Sequence, residues 1–176
     1  MIHLCRFYDL KLWSANSTSY IWYQNGGTTG YIDNLFEHCD LICTEGATVP
    51  PWYQSSAHGA INSNTWKRIR VTSNHAPIEF FHIEEVGAGQ FSYDLTFENI
   101  TGELCDYGII KALSVKNFFG LNINNYDSTT YQAPLIYIGK SATSLNSDGI
   151  VLINVARRGG ALAAGAYDIS IENSYN

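Results

Sequence analysis

Residues 93–97 read Tyr-Asp-Leu-Thr-Phe, and the same form returns along the chain: a turn residue, then apolar, polar, apolar. Earlier copies are Tyr8-Asp9-Leu10-Lys11-Leu12, Cys39-Asp40-Leu41-Ile42-Cys43 and Lys67-Arg68-Ile69-Arg70-Val71. Later ones are Phe119-Gly120-Leu121-Asn122-Ile123 and Tyr167-Asp168-Ile169-Ser170-Ile171, with Gly149-Ile150-Val151-Leu152 a looser member. The first apolar positions, Leu10, Leu41, Ile69, Leu95 and Leu121, are spaced 31, 28, 26 and 26 residues apart. Further steps of 29 to Ile150 and 19 to Ile169 are less regular. A second series keeps a similar step: Trp22-Tyr23-Gln24 returns as Trp52-Tyr53-Gln54 after 30 residues, and Phe80-Phe81-His82 follows after 28. Gly108–Val115 and Pro134–Ile138 fill the equivalent place in later turns.

Short strands with period-two alternation, repeated at such a step, predict a solenoid of stacked coils. The expected fold is all-β: a right-handed, single-stranded parallel β-helix of about six to seven coils. An antiparallel β-sandwich is the alternative, because turn signals every 8–12 residues also suit it. Against it, Asn25-Gly26-Gly27 runs into Thr28 and Thr29 and not into a paired strand. Ala161 to Ala166 has the composition of a helical turn, weakened by glycine. The polar stretch Asn122 to Tyr131 reads as an excursion loop between coils.

Composition narrows the function classes. The 176 residues are 45% hydrophobic and 15% charged, enough to bury one core, with 12 Tyr among 14% aromatics. The net charge of −6 argues against nucleic acid, whose affinity comes from Lys and Arg on phosphates. No run approaches the roughly 18 apolar residues of a membrane span, so no membrane partner is expected. Cys5, Cys39, Cys43 and Cys105 have no metal-ligand spacing and read as buried free thiols. With no zinc, dinucleotide or EF-hand motif present, neither metal nor cofactor is expected.

Turns such as "FYDLKLWSAN", "FENITG" and "YDISIENS", with Asn or Asp just outside the strand, resemble the pectate-lyase-like β-helix superfamily. The wealth of Ser, Thr, Asn and Tyr is most similar to its bacteriophage tailspike members. The resemblance implies a homotrimer on the virion tail that binds, and often depolymerises, bacterial capsule or O-antigen. Members of that family are longer, so residues 1–176 are expected to be one β-helix domain of a longer protein.

Candidate residues follow from the repeat. Aligned on its turn residue, Asp40, Arg68 and Asp94 fall on successive coils. Carboxylates two coils apart would be separated by roughly 9–10 Å, which leaves room for the water of an inverting glycosidase. His82 and Glu84 share a strand face and supply an acid–base pair. Lys67, Arg68 and Arg70 form the densest basic cluster, suited to neutralising a uronic carboxylate in a β-elimination. Trp22, Tyr23, Gln24, Trp52, Tyr53 and Gln54 predict aromatic columns bordered by amides, one pointing inward as core and the other outward toward sugar rings. The expected function is polysaccharide binding with hydrolysis or elimination. A non-catalytic receptor-binding or structural segment of a spike is the alternative.

Overall fold

A computed structural model of the chain describes residues 2–25, 30–56, 61–85, 91–128, 130–139, 147–163 and 167–172. The first coil contains β1 (Ile2–His3), β2 (Arg6–Tyr8), β3 (Lys11–Trp13) and β4 (Trp22–Asn25). The second repeats it with β5 (Tyr31–Ile32), β6 (Leu35–Glu37), β7 (Asp40–Ile42) and β8 (Trp52–Ser56). In the third, β9 (Ile61–Asn62) is followed by β10 (Thr65–Thr72) and β11 (Phe81–Glu85). The fourth fuses the first segments into β12 (Ser92–Glu103), then β13 (Ile110–Leu113). Next come β14 (Val115–Tyr126), β15 (Thr130–Tyr131) and β16 (Ile136–Gly139). The last pass holds β17 (Asp148–Arg157), β18 (Ala161–Leu162) and β19 (Ile169–Ile171).

Every pairing among the described residues is parallel, and each strand pairs with its counterpart one coil away. Six passes through an eleven-stranded sheet make about five turns of a β-solenoid, with a six-stranded sheet along a second side and the pair β15–β18 between them. No helix occurs among the described residues. Parallel pairing throughout excludes the antiparallel sandwich.

Two corners in each coil fold the long sheet. One is a column of left-handed residues, Leu4, Asp33, Ser63, Asp94, Asn117 and Gly149, with φ between 53° and 65°. The other is Asp9, His38, Arg68, Asn99, Asn122 and Asn154, with φ between 53° and 57°. A single left-handed residue bends a strand without ending its ladder, and Asn and Asp accept that conformation best among residues with a Cβ. Asn122 donates to Asn99 Oδ1 and Asn154 to Asn122 Oδ1, each at 2.8 Å, so the second corner is also a ladder of amides.

The core lies between the sheets. Phe36, Trp66 and Phe97 stack on successive coils, and Trp52 and Phe81 pack their edges against them from the other side. Inside the first corner, Asn64 Oδ1 accepts from the Asn34 side chain at 3.0 Å and the Asn34 backbone at 3.1 Å, so these buried amides are satisfied coil to coil. Cys39, Cys43 and Cys105 are buried free thiols, and Cys5 is half-buried, which corrects the expectation of burial for that one.

Three local expectations are corrected. Asn122 to Tyr126 continues β14, and Thr130–Tyr131 is β15, because inward Ile123, Asn125 and Tyr131 give that stretch a buried face. Ala161–Leu162 is a strand paired with β15, and residues 164–166 lie outside the described residues. The register also differs: Leu41 pairs with Leu12 and Val71, and Ile69 with Ile100, five residues beyond the Leu95 that the repeat pattern matches to it. β12 carries inward residues on both sides of the Asn99 corner, so either half imitates the motif.

Candidate functional site

The second sheet presents the most distinctive surface. Alternation along β4, β8, β11, β13, β16 and β19 turns one column outward: Tyr23, Tyr53, His82, Lys111, Tyr137 and Ser170. Tyr23 and Tyr53 stack at 5.6 Å with planes 16° apart, and the His82 ring follows 5.2 Å from Tyr53 at 32°. Tyr20, from the loop before β4, packs against both tyrosines at 4.5 and 5.9 Å. Tyr23 is 53% exposed, so the end of this ladder is open to a ligand.

A charged cluster closes around His82. Its Nδ1 lies 2.5 Å from Glu79 Oε1 and its Nε2 3.3 Å from Glu84 Oε2. Ionised carboxylates only accept, so facing one with each ring nitrogen requires both nitrogens to carry protons. Burial works against that imidazolium, but the bonds to Glu79 and Glu84 outweigh it and hold the His82 pKa above its ordinary value. Burial likewise pushes the Glu79 carboxyl up. The His82 bond and the Lys111 ammonium, 3.7 Å away, prevail and hold it below its ordinary value. A depression of about 370 Å³ adjoins the cluster, lined by Glu79, Tyr107, Lys111, Leu113, Pro134 and Tyr137. Burial and the Glu172 carboxylate, which accepts from the Tyr137 hydroxyl at 2.8 Å, push the Tyr137 phenol up to about 12.

Comparison of the chain with protein-family models, curated proteins and solved structures finds no match.

The structure separates the other candidates. Asp40, Arg68 and Asp94 occupy three different columns: Asp40 lies opposite Lys11 and Arg70, while Arg68 and Asp94 sit at the two corners. The triad suggested by the repeat is therefore not assembled. Asp94 accepts from Asn117 at 3.0 Å. Each member of the basic cluster is tied to a glutamate on a neighbouring coil. Lys67 reaches Glu98 at 3.2 Å, Arg68 reaches Glu37 at 3.2 Å, and Arg70 forks onto Glu103 at 2.7 and 2.8 Å. These pairs stitch the coils together on the side of the long sheet. Asp40, Lys11 and Arg70 line a smaller cavity of about 170 Å³ there.

Within the aromatic series, Trp52 pairs with Phe81, one residue beyond the Phe80 expected, which turns Phe81 inward and His82 outward. Trp22 and Trp52 stack inside the solenoid at 5.1 Å. Gln54 is fully buried, accepting from the Trp52 indole at 3.1 Å and donating to Gln24 at 3.5 Å. Trp52 and Gln54 are therefore core and cannot meet a glycan at the surface, whereas Tyr23, Tyr53, His82 and Glu84 share the outer face.

Tyr20, Tyr107, Lys111 and Tyr137 were not singled out by sequence. For Tyr137 a signal exists, since Ile136 and Ile138 flank it and only one parity can be inward. Among the described residues no group of three or more His, Cys, Asp or Glu is placed to hold a metal ion. No helix of the described residues is long and apolar enough to cross a membrane.

Proposed function

We propose that the chain is a segment of a tailspike-like protein that binds an extended bacterial surface polysaccharide along the outer face of its second sheet. The observation that carries this reading is the ladder Tyr23–Tyr53–His82, rings at coil spacing leading into a depression walled by tyrosines and charged side chains. Sugar C–H faces pack on such rings, while carboxylates and Lys111 offer partners to hydroxyls. The same reading makes the chain a trimer on the virion tail. A solution mass near three chains supports that assembly, and a monomer at micromolar concentration refutes it.

Cleavage of the bound chain is the stronger form of the reading, and the Glu79–His82–Glu84 cluster motivates it. An imidazolium held charged between two carboxylates can donate a proton to a leaving glycosidic oxygen, and a carboxylate can then take one from water. Incubation with a panel of capsules and O-antigens, followed by chain length and by absorbance of unsaturated uronates, tests it. Shortening that is abolished in Glu84→Gln supports cleavage, with new absorbance indicating elimination and its absence hydrolysis. Binding without shortening of any polymer that binds leaves a receptor-binding segment.

A further inference from the structure

The end of β17 places a charged side chain where earlier coils place core residues. Arg157 occupies the inward column of Leu12, Leu41, Val71, Gly102 and Asn125. Its side chain is only 5% exposed. The guanidinium lies over the Tyr131 ring, 4.4 Å from its centroid, and Nη2 donates to Ala133 O at 2.5 Å and Tyr167 O at 2.7 Å. The other two nitrogens are poorly served. Asp168 brings a carboxylate oxygen to 3.1 Å from Nε, yet among the described residues neither Nε nor Nη1 has a hydrogen-bond partner. A buried guanidinium with donors unmet is costly unless something meets them.

Beside it lies a pocket of about 200 Å³ lined by Tyr131, Arg157, Gly159, Gly160, Leu162 and Asp168. Gly160, at φ 74°, forms its rim, and a Cβ there would lie 2.5 Å from Ser128 O and 2.7 Å from the Tyr131 ring. Asp168 is 52% exposed, so its carboxylate can turn into water at little cost. It holds the position that an incoming oxyanion would take, and does so with poor alignment.

We propose that the Arg157 pocket is a subsite for a small oxyanion, a carboxylate or phosphate group, that replaces Asp168 on the guanidinium. Arginine suits this role because its planar fork matches such groups and stays charged. The subsite does not depend on the tyrosine face, although Ala133, whose carbonyl Arg157 holds, also lines the larger depression. An acidic sugar and a free phosphate share the required chemistry.

The test is a heteronuclear NMR titration of the full chain with sodium glucuronate, inorganic phosphate and neutral glucose at fixed ionic strength. Saturable shifts at Gly159, Gly160 and Leu162 with glucuronate or phosphate, and none with glucose, support the subsite. Response to only one anion tells a uronate site from a phosphate site. Asp168→Asn removes the competing carboxylate and should tighten binding several-fold. Arg157→Gln should abolish it. Gly159→Asp adds a negative charge at a left-handed position, which strains any side chain but which aspartate tolerates, with open space around it, so it should weaken binding about tenfold while circular dichroism shows the fold retained. No saturable response to either anion, an equal response to glucose, or weaker binding in Asp168→Asn overturns the proposal.

Discussion

Replacing Trp66 probes the core at its centre. The indole is fully buried in the column Phe7, Phe36, Trp66, Phe97, stacked 4.4 Å from Phe97 with planes 8° apart and facing Phe36 at 6.2 Å. Truncation to alanine opens a cavity between two rings that cannot close on each other, which costs about 3–5 kcal/mol. Loss of the stacked geometry places the result toward the upper end of that range. Phenylalanine should behave differently. It is the residue the column already uses on both sides, and Trp66 Nε1 is buried with no hydrogen-bond partner among the described residues. Removing that donor relieves about 1–3 kcal/mol, which offsets most of the smaller cavity. Trp66→Phe should therefore lie within about 1.5 kcal/mol of the native chain while Trp66→Ala loses about three times that. Equilibrium urea unfolding followed by far-ultraviolet circular dichroism reads both values. Equal losses in the two variants would refute the column and the unmet indole together.

Gly108 has φ 99°, and a Cβ there would fall 2.2 Å from Pro134 O, so Gly108→Ala should cost at least about 2 kcal/mol or prevent folding, read by the same unfolding curves. At the amide corner, Asn122→Ala loses the bonds to Asn99 and Asn154 and forces alanine into φ 54°, whereas Asn122→Gly loses only the bonds. Alanine should be the more destabilising by about 1 kcal/mol, and the opposite order contradicts the left-handed corner. His82 has its folded pKa raised, so its contribution to stability is complete below its unfolded value near 6.5 and is lost as pH rises through the folded value. Glu79 has its folded pKa lowered, so its contribution is complete above its unfolded value near 4.5 and is lost as pH falls through the folded value. An NMR titration should place the His82 midpoint above 6.5, and His82→Gln should flatten the fall in stability as pH rises above 6.5. A midpoint below 6.5 would contradict the clamp.

The solenoid was legible in the sequence because its cause is local: alternation makes each strand, and Trp-Tyr-Gln recurring after 30 residues is a backbone period in plain view. Register was less legible. Every strand carries the same alternation, so a slip of one residue, as between Phe80 and Phe81, leaves the pattern intact while exchanging core for surface. The corners decide the true register, yet their residues range from Asn and Asp to Leu4, His38 and Arg68, which do not advertise a left-handed conformation. The site was legible in part. Tyr23, Tyr53, His82 and Glu84 follow from parity, but Glu79 and Lys111 reach His82 through a loop and the next coil, and only the folded chain brings them together. The column that joined Asp40, Arg68 and Asp94 failed because a motif match of five residues does not fix which coil positions face each other.

The ring ladder of the second sheet is proposed to hold a glycan. Affinity electrophoresis through gels containing bacterial surface polysaccharides, with the native chain beside Tyr23→Ala/Tyr53→Ala, tests it most directly. Tyr23 and Tyr53 stand on the outer face, so the variant should keep its fold by circular dichroism. At least one polysaccharide should retard the native chain, and the double variant should migrate as it does in a gel without polysaccharide. Retardation of the folded variant equal to the native chain's, or no retardation by any polymer, would contradict it.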